Sequence, residues 1–487
     1  MTSLSVLVPV FNEQYLVAES LGRLEVLADS PYLERIEVIV VDDCSTDETA
    51  RVLADFAASR AGSRLTWRFI RHERNGGKGA AIRTALAEAT CALSVIHDAD
   101  LEYHPSDLLH IVKVFVEEKA DAVFGSRFAG GPARRVLLYR HQLGNKLLTF
   151  LCNMATNLNL TDMETCYKAV RTSLLKSIPI QSNDFRLEPE LTIKLAKRQA
   201  RIFEVPISYS GRTYQEGKKI NWRDGFKALW AIVRYTLSDA VYVKDVYGSQ
   251  ILARLSRAPK FNAWMADTVR PFCGQRVFEI GGGVGNLTLQ LVPRTSYLVS
   301  DINPLYLTTL ESLRASRPYL SVEFCDVSDA ASFPSRPDGF DTVICLNVVE
   351  HIKDDVGALR NIGRALSPDG RAVVLVPQGP WNFGTLDEML GHERRYTMAS
   401  LTAAAEAAGL HVERILRFNR VGTIAWFLNG TIMRRRSFGL LQIKLLGVLT
   451  PLMRAVDRIL PIPPLSLIAV LTRPPSASVA GADVPDT

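Results

Sequence analysis

The chain has 487 residues, 47% of them hydrophobic and 22% charged, with a net charge of +6. It is too long for one core, which stops growing at about 250–300 residues, and too apolar for a disordered chain. So mild a positive balance gives no argument for nucleic acid as a partner.

Seven cysteines lie scattered without a Cys-x-x-Cys pair. That speaks against a disulfide framework or a thiolate zinc site and predicts a reducing, cytoplasmic setting. The opening residues "MTSLSVLVPVFNE" have no basic leader, and no apolar run reaches the length of about 18 residues that a spanning helix needs. Neither a signal peptide nor a transmembrane helix is expected.

In chain order, β-branched runs at 4–10, 36–42, 65–71, 91–97 and 120–126 predict buried strands of an α/β sheet joined by helical crossovers. A second series at 276–281, 296–301, 321–326, 340–346, 371–377, 411–418 and 465–473 predicts a separate sheet. Helical periodicity at 225–258 runs into the basic stretch "RLSRAPK". The expected organisation is a first domain over 1–235, a helical and basic linker over 236–260, a second domain over 261–475, and a tail over 476–487 that is disordered by composition. An apolar and basic insertion at 421–464 carries Leu441, Leu445, Leu449, Leu452, Val456 and Leu460 at helical spacing around a break at Pro451. Two readings stand for it: a segment lying in a membrane interface, or a lid packed on the second domain.

The first series carries polar clusters at its strand ends. "VPVFNE" (8–13) and "VVDDCSTDET" (40–49) place Phe11, Glu13, Asp42 and Asp43 at the carboxyl ends of strands, where open α/β sheets bind ligands. "RNGGKGAAIRTAL" (74–86) is a glycine-rich turn opening a helix; its glycines allow a close backbone approach to a ligand, and Lys78 can meet phosphate charge. Its spacing is not that of a P-loop. "CALSVIHDADLEYHP" (91–105) sets Asp98, Asp100 and Glu102 two apart, on one side of an extended strand end. Three such carboxylates repel one another unless something positive sits among them.

Taken in order, and with "FGSRF", these pieces resemble the family 2 glycosyltransferases of the dolichyl-phosphate mannose synthase and polyprenyl-phosphate glycosyltransferase type over most of residues 4–225. The resemblance implies a GT-A nucleotide-sugar-binding fold and inverting, metal-dependent transfer of a sugar to a polyprenyl-phosphate or glycan acceptor. It implies that Pro9, Phe11, Glu13, Asp42 and Asp43 hold the nucleotide-sugar with Lys78, Asp98 and Arg127 beside it. Asp98, Asp100 and Glu102 would hold Mg²⁺ or Mn²⁺, with Asp100 as a catalytic residue; oxygen ligands suit these ions, which steady a departing diphosphate.

Downstream, "TDMETCYKAVR" (161–171), "FRLEPEL" (185–191) and "GRTYQEGKKINWRDG" (211–225) resemble the acceptor side of the bacterial members. Arg127, Arg212, Lys218 and Lys219 offer positive charge suited to a phosphate. A phosphate acceptor needs no strong base; a hydroxyl acceptor would, and Asp162 is the candidate. Many polyprenyl-phosphate relatives continue into transmembrane helices where this chain continues into another domain, which weakens lipid as the acceptor.

In the second series, "VFEIGGGVGNLTLQL" (277–291) reads as strand, glycine-rich turn and helix start, and Asp301 ends the next strand 20 residues after Gly281. That spacing also suits a dinucleotide fold, but Asn286 stands where its third glycine is required. Glu279 with glycines at 281, 283 and 285, followed by "FCDVSD" (324–329) and "FDTVICLNVVEHI" (340–352), resembles the class I S-adenosylmethionine methyltransferases over roughly 260–420 plus the terminal strand. The resemblance implies a Rossmann-like domain that binds S-adenosylmethionine through Glu279, Gly281, Gly283, Gly285, Asp301, Asp326 and Asn347.

The sulfonium carries the hard chemistry of methyl transfer, and the protein mainly aligns the reactants. A hydroxyl acceptor would need a base, for which His351 and His392 are candidates. The expected whole is a bifunctional transferase in the cytoplasm, with peripheral contact at the inner face of the membrane left open. The alternatives are a second half that only binds cofactor or acts as a scaffold and, more distantly, one that binds a nicotinamide cofactor.

Overall fold

The computed structural model describes residues 1–60, 62–130, 135–136, 139–212, 222–238, 241, 258–314, 317–434 and 440–474. Lys218, Lys219 and the predicted tail lie outside these residues, as does most of the predicted linker. The chain divides into two compact units, Met1–Val243 and Lys244–Thr487.

The first unit is built on a seven-stranded sheet in the order β3-β2-β1-β4-β6-β5-β7. Its strands are β1 (Thr2–Val10), β2 (Leu33–Asp42), β3 (Thr66–Arg71), β4 (Leu93–Ile96), β5 (Ala122–Ser126), β6 (Lys168–Arg171) and β7 (Ile202–Pro206). The five predicted runs all form strands. The central ones are apolar on both faces because helices cover both sides: Val6, Leu7, Val8, Val38, Val40 and Val95 are all fully buried. β6 runs antiparallel to β4 and β5 and so reverses the parallel order of the sheet. β1 and β2 stay in parallel register up to Val10 opposite Asp42, and β4 lies beside β1 with Leu7 opposite Ile96. Three strand ends therefore open onto one edge.

The second unit holds a seven-stranded sheet in the order β10-β9-β8-β11-β12-β14-β13. Here β8 is Arg276–Ile280, β9 Ser296–Asp301, β10 Leu320–Phe324, β11 Phe340–Leu346, β12 Leu366–Pro377, β13 His411–Phe418 and β14 Ser466–Thr472. All seven predicted strands are present. β14 pairs antiparallel with both β12 and β13, and β9, β8 and β11 run parallel around the centre.

The 421–464 insertion forms the helix Arg420–Trp426, a π-helical turn Phe427–Ile432 and the helix Leu440–Val456. The last continues through Pro451 rather than breaking there. It packs on the helix Pro259–Val269, contributing Leu446 and Met453 to the core. Of the predicted stripe, Leu445, Leu449 and Leu452 are exposed, whereas Val456 and Leu460 are half-buried. Among the described residues no helix is long and apolar enough to cross a membrane.

Candidate functional site

The strand ends of the first unit meet in a cavity of about 860 Å³. Pro9, Phe11 and Glu13 reach it from the end of β1, Asp43 from the end of β2, and Asp98, Asp100 and Glu102 from the end of β4. Lys78, Arg127 and Arg212 complete the set of predicted residues that line it. Asp42 and Asp162 do not. Asp42 accepts from the Ser45 amide at 2.9 Å and faces Arg71 at 3.3 Å, which makes it a brace for the turn after β2.

The glycine-rich turn is held from within the protein. Asp43 accepts from the Gly76 and Gly77 amides at 2.9 and 2.6 Å and from His72 Nδ1 at 2.7 Å, so those amides are already committed to a carboxylate. A Cβ at Gly77, whose φ is +87°, would lie 2.3 Å from the Asn183 carbonyl oxygen, and one at Gly79 would lie 1.9 Å from that of Ser182. Two of these glycines thus serve the close approach of the helix Lys78–Glu88 to a neighbouring loop.

The acidic strand end finds its positive charge in two side chains. Lys78 Nζ lies 2.9 Å from Asp98 and 3.1 Å from Glu188. Burial alone would favour the neutral amine, but Asp98 and Glu188 outweigh it and raise the Lys78 pKa well above its ordinary value. Asp98 is lowered in turn, with Lys78 overcoming its burial. Arg212 Nη2 donates to Asp100 at 2.8 Å and its Nε to Glu102 at 3.0 Å. The compensation is incomplete: burial, then the charges of Asp98 and Glu102, push Asp100 up to about 7 against the pull of Arg212. Glu102 is the most engaged of the three, since it also accepts from the Tyr209 hydroxyl at 2.8 Å.

Asp162 departs from the expectation of a general base. It is fully buried, and its two oxygens accept from Arg127 at 2.6 and 2.7 Å and from Asn145 at 3.0 Å. Burial raises its pKa, but the Arg127 charge and these hydrogen bonds more than reverse that and hold it low. A carboxylate so bound has little tendency to take a proton. Arg127, expected at the donor and acceptor, spends its guanidinium on Asp162 while also lying 5.1 Å from the Tyr209 ring centre.

Among the lining residues to which sequence reasoning assigned no role are Glu188, Glu164, Phe185 and Tyr209. Glu188 and Phe185 stand in "FRLEPEL" and Glu164 in "TDMETC", so the motifs marked the region without naming the residues. Glu164 is pushed to about 8 by burial and by Glu188. Beyond the polar part, the cavity reaches the helices Tyr139–Thr156 and Trp222–Leu237, which pack together and contribute Leu147, Leu148 and Phe226 to its wall. Both helices expose large apolar side chains: Leu147 at 57%, Phe150 at 58%, Phe226 at 66% and Trp230 at 50%.

In the second unit the turn after β8 carries three positive-φ glycines, Gly281, Gly283 and Gly285. A Cβ at Gly281 would lie 2.4 Å from Val348 Cγ2, so the turn sits directly against the loop after β11. Asp301, at the end of β9, accepts from the Gly283 amide at 2.8 Å and that of Asn303 at 2.9 Å. Glu279 is buried beneath the turn, where it accepts from Thr288 Oγ1 at 2.6 Å and the Tyr297 hydroxyl at 2.9 Å; burial outweighs those bonds and raises it to about 7. Asp326 caps its own turn through Ser328, and Asn347 is exposed with a φ of 55°. The structure thus brings Gly281, Gly283, Asp301 and the Asn347 loop to one end of the sheet. His351 and His392, apart in sequence, have ring centres 4.8 Å apart.

Each unit therefore combines a strand-end site with the strand order of a transferase fold: an α/β sheet with one reversed strand before a charged nucleotide-sized cavity, and a Rossmann-like sheet ending in an antiparallel strand beside a glycine-rich turn. Residues 5–178 match the family model described as Glycosyl transferase family 2, and residues 278–372 that described as Methyltransferase domain. The chain is an N-terminal family 2 glycosyltransferase domain of GT-A-like fold fused to a C-terminal class I methyltransferase domain, and so joins two enzymes.

Among curated relatives it is 24% identical over 240 residues to a UDP-N-acetylglucosamine–dolichyl-phosphate N-acetylglucosaminyltransferase of Methanococcus voltae, covering 47% of this chain and 93% of that protein. It is 28% identical over 214 residues to an undecaprenyl-phosphate 4-deoxy-4-formamido-L-arabinose transferase of Edwardsiella ictaluri, covering 44% of this chain and 62% of that one. Among solved structures, glucosyl-3-phosphoglycerate synthase of Mycobacterium tuberculosis with Mn²⁺ and uridine diphosphate aligns at 18% identity and a TM-score of 0.38, covering 48% of this chain and 80% of that one.

Proposed function

We propose that the first domain transfers a sugar from a nucleotide-sugar to a polyprenyl phosphate, and that the second methylates a related glycan from S-adenosylmethionine. One observation carries the reading of the acceptor: a single cavity runs from the acidic end of β4 to a pair of helices with exposed apolar faces. A phosphate headgroup and an isoprenoid chain need those two environments side by side. The named activities of the two relatives, both acting on polyprenyl-type phosphates, support it.

In this reading Pro9, Phe11, Glu13 and Asp43 form the nucleoside end, with Asp43 acting by fixing the glycine-rich turn. Asp98 and Asp100 would hold Mg²⁺ or Mn²⁺. They suit a hard cation because Asp100 remains under-compensated beside Lys78 and Arg212. A cation bound there would offset charge on the departing nucleoside diphosphate. Glu102 positions Arg212 and Tyr209, and Arg212 would receive the acceptor phosphate once a cation takes Asp100. A phosphate monoester is already an anionic nucleophile, so no base is required, in keeping with the bound state of Asp162.

In the second domain the glycine turn packs directly on the loop after β11, where a Cβ at Gly281 would meet Val348, and this close packing leaves its backbone at the strand ends where a cofactor would lie. Gly281, Gly283 and Gly285 would admit the methionine part of S-adenosylmethionine, Asp301 and Asn347 its ribose side, and Asp326 the adenine surroundings, with Glu279 bracing the turn. The cofactor supplies an activated methyl group; the chain's residues orient it. The outward stripe of Leu445, Leu449 and Leu452 supports peripheral contact with the cytoplasmic face of a membrane.

Incubation of the intact protein with polyprenyl phosphate, a panel of nucleotide-sugars, Mn²⁺ and labelled S-adenosylmethionine tests both halves. Sugar on the lipid fraction is the expected result for the first domain. Transfer to soluble glycans alone would reject the lipid acceptor, and S-adenosylmethionine binding without methylation of any glycan product would reduce the second domain to a scaffold.

A further inference from the structure

The loop after β11 and the segment before the helix Met398–Ala407 bring Glu350, His351 and His392 together, one ligand atom of each lying within 4.8 Å of the others. Glu350 is fully buried, and neither of its carboxylate oxygens has a hydrogen-bond partner. A carboxyl group in that state costs free energy unless it meets a cation or a donor.

The two imidazoles are oriented from behind. His392 Nδ1 lies 2.8 Å from Asp387 Oδ1, and Asp387 is itself held by Arg395 at 2.8 and 3.2 Å and by Trp426 Nε1 at 3.1 Å. His351 Nδ1 lies 3.2 Å from the Gly391 carbonyl oxygen. The segments are clasped by the Glu393 amide donating to the Glu350 carbonyl at 2.8 Å. A carboxylate or carbonyl behind each imidazole is the outer support that fixes ring tautomer and direction in metal sites.

We infer that Glu350, His351 and His392 form a site for a divalent transition metal of the zinc or cobalt type, with an open position for an oxygen of the methyl acceptor. Two histidines and one carboxylate leave a fourth tetrahedral position free and prefer a borderline-soft ion to Mg²⁺. Ligands on bonds of about 2.0–2.1 Å stand roughly 3.3 Å apart at tetrahedral angles, so the three side chains draw inward on binding. The site belongs beside the methyl donor: Val348, two residues before Glu350, lies against the Gly281 turn.

The inference rests on the methyl-transfer reading of the second domain and adds the acceptor's chemistry: a hydroxyl, acidified by the metal. Its proton leaves to solvent, the oxygen–methyl bond forms as the sulfonium–methyl bond breaks, and the donor departs as a neutral thioether.

Cobalt(II) titration of the intact, chelator-treated protein tests the site without reference to activity, because nitrogen-rich tetrahedral cobalt absorbs visible light far more strongly than octahedral cobalt among oxygens. The expected result is one equivalent with intense absorption, displaced by zinc. His351→Gln and His392→Gln should each abolish the band and weaken binding by at least about a hundredfold, while Asp100→Asn, in the first domain, leaves it unchanged. A wild-type protein with no intense band, or a band that survives both histidine variants, overturns the inference. Calorimetry with S-adenosylmethionine on the same samples separately decides the methyl-donor reading.

Discussion

Replacing Asp100 by asparagine should stabilise the first domain and abolish its chemistry. The carboxyl group is pushed from 3.8 to about 7 by burial and by Asp98 and Glu102. Well below pH 3.8 it is neutral in the folded and unfolded chain alike, so no penalty exists. As pH rises the unfolded chain ionises first, and the folded state loses stability progressively until the folded pKa is passed. The full penalty, about 3 pKa units at 1.36 kcal/mol each, is on the order of 4 kcal/mol above pH 7, against about 1.5 kcal/mol at pH 5. Asparagine keeps the shape and carries no charge, at the cost of the charge-assisted bond from Arg212, which retains Glu102. Urea unfolding of chelator-treated protein, followed by hydrogen exchange in peptides covering 93–110, should show Asp100→Asn more stable by about 2–4 kcal/mol at pH 8 and much closer to wild type at pH 5. Mn²⁺ should stabilise the wild type and not the variant, and sugar transfer by the variant should vanish. A variant less stable at pH 8, a gap independent of pH, or undiminished transfer would each refute the electrostatic argument.

Asp162→Asn should cost about 3–5 kcal/mol of stability, because it leaves Arg127 buried without its partner; a pH–rate profile whose acidic limb moves in the variant would restore Asp162 as a base. Gly281→Ala should lower S-adenosylmethionine affinity by more than about tenfold, since the added Cβ meets Val348 at a φ that disfavours side chains; calorimetry at unchanged affinity would contradict the turn's role. Phe226→Glu with Trp230→Glu should reduce transfer to polyprenyl phosphate in vesicles by at least about tenfold while sparing a short water-soluble acceptor. Equal losses on both acceptors would remove the helix pair from lipid recognition.

The second sheet was legible because β8, β9, β11, the second half of β12 and β14 are largely apolar runs that stand out, and even the exposed β13 keeps Val412, Ile415, Leu416 and Phe418 among its charges. The first was legible only in part. β6 spans four residues and includes Lys168, a residue that sequence places at the surface but which is buried here with its ammonium on the carbonyls of Met163 and Thr165 at 2.6 and 2.7 Å. β7 is only half-buried and ends on a proline, so its pattern is that of a loop. The site shows the same division. Location was readable, since strand ends and glycine turns have local signals; partnership was not, because Arg212 meets Glu102 across 110 residues and Glu188 meets Lys78 across the same distance. Asp43 and Asp162 were both singled out in the right region, and in both the structure shows the carboxylate spent on the protein itself.

The charge balance at the end of β4 ties these observations to the proposed metal. Asp98, Asp100, Glu102 and Glu188, when ionised, outnumber by two charges the cations they meet, Lys78 and Arg212. Without a further cation the cheapest relief is a proton, and it falls on Asp100, the carboxyl with the raised pKa. A single divalent ion would offset the remaining charge. On the proposed reading, an ion held by Asp100 would leave Arg212 only Glu102 and free it for an acceptor phosphate, so cation and acceptor would bind more readily together than apart. Lys78 has no such freedom, being buried between Asp98 and Glu188, and by holding these two it would keep the site from carrying a charge that one metal ion could not neutralise.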